Sequence, residues 1–185
     1  GGQKLKAIAP SGPSGGFLPA VLRKEQLPPK FVQEKMKGAD TFDILDLTLD
    51  NSTLSLAGSM LGAAFVVYGH HRDMVDQALN CTEFFRNESC GKCVPCRTGS
   101  QKLVDMFTAV IRGDRREKEH VSLPLVSELA DVMILTSICG LGQVASNPIS
   151  SVIRFFRGEV EAYLAGIAQD PRRPAKTMLK TLEGL

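Results

Sequence analysis

The stretch "DILDLTLD", residues 43–50, sets Leu45, Leu47 and Leu49 against Asp46 and Thr48, an alternation that predicts a half-buried strand. Further on, "AAFVVYG" is apolar throughout and predicts a more buried strand, with "STLSLAGSML" between the two as a short helix. Upstream, the apolar "LKAIAP" runs into the turn-forming "PSGPSGGFLP". Residues 1–71 therefore read as a small α+β unit. From Arg72 the period lengthens to that of helices, and four amphipathic segments follow. The first carries Val75, Ala78, Leu79 and Phe85 inward. The second starts at Pro95, where proline loses only a donor that a helix start leaves unpaired, and carries Leu103, Phe107, Val110 and Ile111 before stopping at Gly113. The charged "DRREKEH" then reads as a solvated turn. The third segment carries Leu125, Leu129, Val132 and Met133 and breaks at "TSICGLGQ". The fourth opens on Asn147 and Pro148 and presents Ile149, Ile153, Phe156, Val160, Tyr163 and Ile167. Four such stripes predict one helical core over residues 72–168, and the tail 169–185 reads as extended or loosely docked.

Composition narrows the class without naming a function. A chain of 185 residues with 43% hydrophobic content can bury one respectable core or two small ones. A net charge of +2 gives no broad basic field for nucleic acid. The longest apolar run falls well short of the roughly 18 to 20 residues of a membrane span, so no direct membrane insertion is expected. The opening "GGQKLKAIAP" has neither an initiating Met nor a secretory design, and reads as a cut edge.

The cysteines do change the picture. Cys90, Cys93 and Cys96 form a CxxCxxC run, and Cys139 stands alone after 42 intervening residues, 97–138. Structural zinc sites usually draw two pairs of ligands, because two short loops each supply two corners of a tetrahedron. Three plus one instead suits a 4Fe-4S cube, which a tight loop can wrap on three irons while a remote segment reaches the fourth. A zinc site and merely reactive or buried thiols stay open as alternatives. Gly91 lets the loop turn sharply, Cys96 lies near a helix start that favours anionic groups, and Lys92 and Arg97 add positive charge. Gly140 and Gly142 offer the second loop a close backbone approach, or serve as ordinary turn punctuation. Cys81, on the first helix, reads as a small buried hydrophobe. His70 and His71 have no spaced partners and read as a solvated turn, and His120 falls in the charged turn. Cysteines placed for ligation rather than for disulfides point to a reducing, cytoplasmic compartment.

With "ESCGKCVPCRTG" and "SICGLGQ" in view, the chain resembles the flavoprotein (diaphorase) subunits of respiratory complex I, NAD-dependent formate dehydrogenases and NAD-reducing hydrogenases. The resemblance implies 4Fe-4S ligation by Cys90, Cys93, Cys96 and Cys139 in a four-helix bundle, preceded by a β-grasp-like domain truncated at its N-terminus. It covers residues 1 to about 168, and "CGLGQVASNPISSV" leans toward the formate dehydrogenase and hydrogenase branches. It further implies iron–sulfur protein subunits as partners. One departure is plain: the glycine-rich FMN- and NADH-binding stretch of that family is missing here, and "PSGPSGG" lacks the GxGxxG order. FMN and NAD are thus expected only on a missing N-terminal domain or a partner. The competing functions are an electron-transfer module, a zinc-stabilised interaction module, and a docking scaffold for an iron–sulfur partner.

Overall fold

The computed structural model describes residues 2–113 and 121–168. The predicted charged turn with His120 and the predicted tail lie outside the described residues. The fold is mixed helix and sheet. Five strands come first: β1 (Leu5–Pro13), β2 (Leu18–Pro19), β3 (Val21–Arg23), β4 (Thr41–Asp43) and β5 (Val66–Gly69), with helices α1 (Pro29–Lys35) and α2 (Asn51–Leu56) between them. Helices α3 (Met74–Glu88), α4 (Val94–Arg112), α5 (Leu123–Thr136), α6 (Gly140–Val144), α7 (Asn147–Phe155) and α8 (Arg157–Leu164) follow. No helix among the described residues is long and apolar enough to cross a membrane.

Strand β1 is the hinge of the packing. It pairs antiparallel with β2 on one side and β5 on the other, in the order β2-β1-β5, while β3 and β4 form a separate antiparallel pair. Successive side chains of a strand point to opposite faces, and β1 uses both. Ala7 and Ala9 join the large core with Leu103, Phe107 and Met133. Ile8 joins a smaller core with Leu22, Phe31 and Leu54. Each fully buried Leu or Phe contributes about 1.5–3 kcal/mol, so both clusters hold β1 in place. Polar ties add direction. Lys6 Nζ meets Glu159 Oε1 at 2.7 Å, and Glu159 Oε2 accepts the Met74 N–H at 3.0 Å. Asp73 caps α3 by accepting the Asp76 N–H at 2.9 Å, and its other oxygen accepts the Tyr163 hydroxyl at 2.7 Å.

The glycine-rich turn after β1 is occupied by docking. Asn147 Nδ2 donates to the Ser14 carbonyl at 2.7 Å, and the Phe17 N–H donates to Ser151 Oγ at 2.9 Å. A Cβ on Gly16, whose φ is +66°, would stand 2.8 Å from Ser151 Oγ. Asn147 therefore joins the two halves from the first turn of α7.

Several sequence expectations need correction. "DILDLTLD" is not one strand: only its first residue pairs, because the Asp43 carboxylate accepts the Leu45 N–H at 2.9 Å and closes a 3-10 turn over Ile44–Asp46. Such local bonds compete with a sheet ladder, and Leu45 and Leu49 end exposed while Leu47 is buried. Strand β5 is the edge of its sheet, and Phe65, Val66 and Val67 are exposed, where deep burial was expected. Helix α5 is turned from the predicted stripe: Met133 is buried and Leu129 half-buried as expected, but Leu125 and Val132 are exposed and Val126 and Ala130 are buried in their place. The fourth segment is two helices. Phe156 leaves helical geometry (φ −121°, ψ 32°) with its ring in the core, which redirects α8 so that Glu159 reaches α3, and Ile167 is left exposed.

Helix α5 seats against α4 through Gly99. A Cβ there would lie 2.5 Å from the Sδ and 2.7 Å from the Cγ of the fully buried Met133. Gly99→Ala is expected to lower unfolding free energy by about 1–3 kcal/mol, the usual cost of overpacking a filled core, read from denaturant melts. An unchanged midpoint would mean that the two helices are not in close contact.

Candidate metal centre

The first cysteine loop is built by the end of α3 and the start of α4. Ser89 closes α3 with extended backbone, and Gly91, at φ +73°, turns the chain back. Arg97 braces that turn, its guanidinium donating to the Gly91 carbonyl at 2.5 Å. Cys93 sits at the N-cap of α4, Pro95 lies in its first turn, and Cys96 is buried one position later. Ser89 Oγ stands 3.3 Å from Cys96 Sγ.

The second loop leaves α5 at Ser137 and enters α6 through Cys139. The Ser137 N–H donates to the Met133 carbonyl at 3.1 Å, and the Ser137 carbonyl accepts Gln143 Nε2 at 3.2 Å. Gly142 is buried against the first loop: a Cβ there would lie 2.5 Å from Ser137 Oγ and 2.9 Å from Cys96 Cβ. Gly140, by contrast, has open space around it, so its place in the loop is ordinary punctuation.

Electrostatics joins the two loops at Cys93. Its thiol is held below the usual range chiefly by the backbone N–H of Ile138, then by that of Cys96, with a smaller contribution from the Ser137 hydroxyl. Among the described residues none of these three groups forms a hydrogen bond to Cys93, and Ser137 Oγ is buried without any partner. Unpaired N–H groups at a helix start favour a thiolate in the same way.

Cys90 and Cys139 stand exposed on these two loops, one residue from Gly91 and one from Ile138. Among the described residues no three His, Cys, Asp or Glu side chains converge at the spacing of a single metal ion. The donor set fits a 4Fe-4S cluster: four thiols from two adjoining loops, one of them already biased to the anion, and a buried hydroxyl that lacks an acceptor. Cys81 is apart from this. It packs against the large core from α3, and burial pushes its thiol up to about 11. His70 and His71 lie exposed in the turn after β5, edge to face at 6.2 Å. Sequence reasoning missed Ser89 and Ser137, although each stands one or two residues ahead of a cysteine, in "ESC" and "SIC".

Two adjoining cysteine loops on a helical scaffold are the setting of an iron–sulfur binding region. Residues 76–163 belong to the family described as the NADH-ubiquinone oxidoreductase-F iron-sulfur binding region, whose members carry a 4Fe-4S cluster. The chain is 30% identical over 164 residues to the NADP-reducing hydrogenase subunit HndC of Solidesulfovibrio fructosivorans, covering 88% of this chain and 28% of that one. It is 31% identical over 163 residues to the mitochondrial NADH-ubiquinone oxidoreductase 51 kDa subunit of Aspergillus niger, again covering 88% of this chain and 28% of that one. Among solved structures, it resembles a chain of an NAD+-reducing [NiFe]-hydrogenase in the H2-reduced state, with a TM-score of 0.59, 26% identity, and coverage of 99% of this chain and 28% of that one. The chain thus spans under a third of the length of these relatives.

Proposed function

We propose that this chain is a single-cluster electron-transfer module of an NAD-dependent oxidoreductase, with Cys90, Cys93, Cys96 and Cys139 as the four thiolate ligands. The observation that carries the reading is the contact of the two loops, with Gly142 seated between Ser137 of the second loop and Cys96 of the first. Bound there, a 4Fe-4S cluster supplies a one-electron relay. The chain's own residues ligate, bury one side and position. Cys90 and Cys139, both exposed, would hold the cluster from the surface side of the two loops, where a partner's redox centre could approach. Electrons would come from FMN, reduced by NADH on a domain or partner outside this chain, and pass to iron–sulfur subunits on the cytoplasmic side. A hydrogenase or formate dehydrogenase assembly is the favoured setting, on the wording "CGLGQVASNPISSV" and the hydrogenase relatives.

In this reading residues 1–71 are a β-grasp-like domain and 72–168 a four-helix bundle made by α3, α4, α5 and α7. Support comes from the mutual packing of those helices and from the small antiparallel sheet over them. A zinc staple has less support, because the family matched over residues 76–163 is described as an iron-sulfur binding region.

Anaerobically reconstituted chain is expected to hold about four iron and four sulfide, with a broad visible band that dithionite bleaches. Tight stoichiometric zinc, with no redox-active chromophore after the same treatment, would establish the zinc module instead.

A further inference from the structure

We propose that the hydroxyls of Ser89 and Ser137, one on each cysteine loop, donate hydrogen bonds to thiolates of the first loop, that of Ser89 to Cys96, and raise the reduction potential of the cluster held there. The inference rests on the 4Fe-4S reading given above, and assigns to two residues a role that ligation does not require.

The Ser89 hydroxyl is oriented for it. Its oxygen accepts the Gly91 N–H at 3.3 Å, an approach made by the left-handed turn at Gly91, and this leaves its proton for Cys96 Sγ at 3.3 Å. A ligating thiolate has no proton of its own, so the hydroxyl must be the donor. Ser137 makes the complementary case. Its backbone N–H and carbonyl are both paired, yet its buried hydroxyl has no partner. A buried hydroxyl without an acceptor is unfavourable, and this one faces the first cysteine loop: a single Cβ on Gly142 would touch both Ser137 Oγ, at 2.5 Å, and Cys96 Cβ, at 2.9 Å. Gly142 contributes by having no side chain, since a Cβ there would occupy the space of Ser137 Oγ.

The sign follows from charge. Hydrogen bonds to anionic acceptors are stronger than neutral ones, and one-electron reduction adds negative charge that the sulfurs share. Donors aimed at those sulfurs therefore stabilise the reduced state more than the oxidised one, which raises the potential.

The test is an EPR-monitored redox titration of the full chain, cluster-loaded under anaerobic conditions, as wild type, Ser89→Ala, Ser137→Ala, the double variant and Ser89→Thr. Each Ala variant is expected to keep its cluster and titrate at a more negative potential. The double variant should shift further, and Ser89→Thr, which keeps the hydroxyl, should stay with wild type. In the reduced wild type, transfer from H2O to D2O should remove a strong exchangeable-proton coupling that the double variant lacks. Cluster-bearing Ala variants with unchanged potential would overturn the serine assignment and leave the cluster reading intact. If the Ala variants lose the cluster, the coupling in wild type decides, and its absence overturns the assignment. A wild-type chain that takes up no cluster would remove both.

Discussion

Cys96→Ala is expected to cost the protein its cluster and a large part of the stability of its helical half. Cys96 is the buried member of the four, at the third position of α4, with its Cβ against Gly142 and its sulfur against Ser89. When a metal group binds only the folded state, its binding free energy becomes folding free energy. The loaded wild type should therefore exceed the variant by at least about 3 kcal/mol, in the range reached when a metal or a buried network is lost. Loss of one buried sulfur from the iron-free protein is a smaller matter, about 1 kcal/mol, since little volume is removed and the site can relax. Denaturant melts of the two proteins, with and without cluster, separate these contributions. Equal melting of loaded wild type and Cys96→Ala would refute the coupling between cluster and scaffold.

Gly142→Ala is expected to empty the site with every ligand still present. The added methyl would stand 2.5 Å from Ser137 Oγ, 2.6 Å from Ser137 Cβ and 2.9 Å from Cys96 Cβ. None of these is the free end of a flexible side chain, so the second loop must retreat from the first. Shifts of this kind around metal ligands typically reduce affinity about 10- to 100-fold. Iron and sulfide content after reconstitution at limiting iron would report it. Gly140→Ala, whose new methyl meets open space, should load as wild type does. A Gly142→Ala protein that also loads fully would show that the loops do not need this closeness.

Much of the helical half was legible because its apolar residues mark one face without ambiguity. In α3 and α4, Val75, Ala78, Leu79, Leu103 and Phe107 are buried as the spacing requires, and Gly113 ends α4 in the left-handed conformation. The same logic fails on α5, where Leu, Val, Met and Ile occur on nearly every side, so that two stripes were available. Met133, seated over Gly99, lies on both, and the fold buries Val126 and Ala130 beside it in place of Leu125 and Val132. It fails again at Phe156, whose periodic spacing continues across a break made to bring Glu159 to the start of α3. In the N-terminal half the elements are short, and a single Asp43 side-chain bond was enough to turn a predicted strand into a 3-10 turn.

By itself the sequence determined the chemistry: four thiols in a three-plus-one spacing, glycine at the turn of the first loop, and helices long enough to carry them, because ligand identity and local backbone freedom are properties of neighbouring residues. Only the tertiary structure decided which groups surround those thiols. The Ser137 hydroxyl left without an acceptor, and Gly142 rather than Gly140 as the point of contact, both depend on how α5 and α6 pack against α4. That packing follows from side-chain volumes tens of residues apart, which no local spacing records.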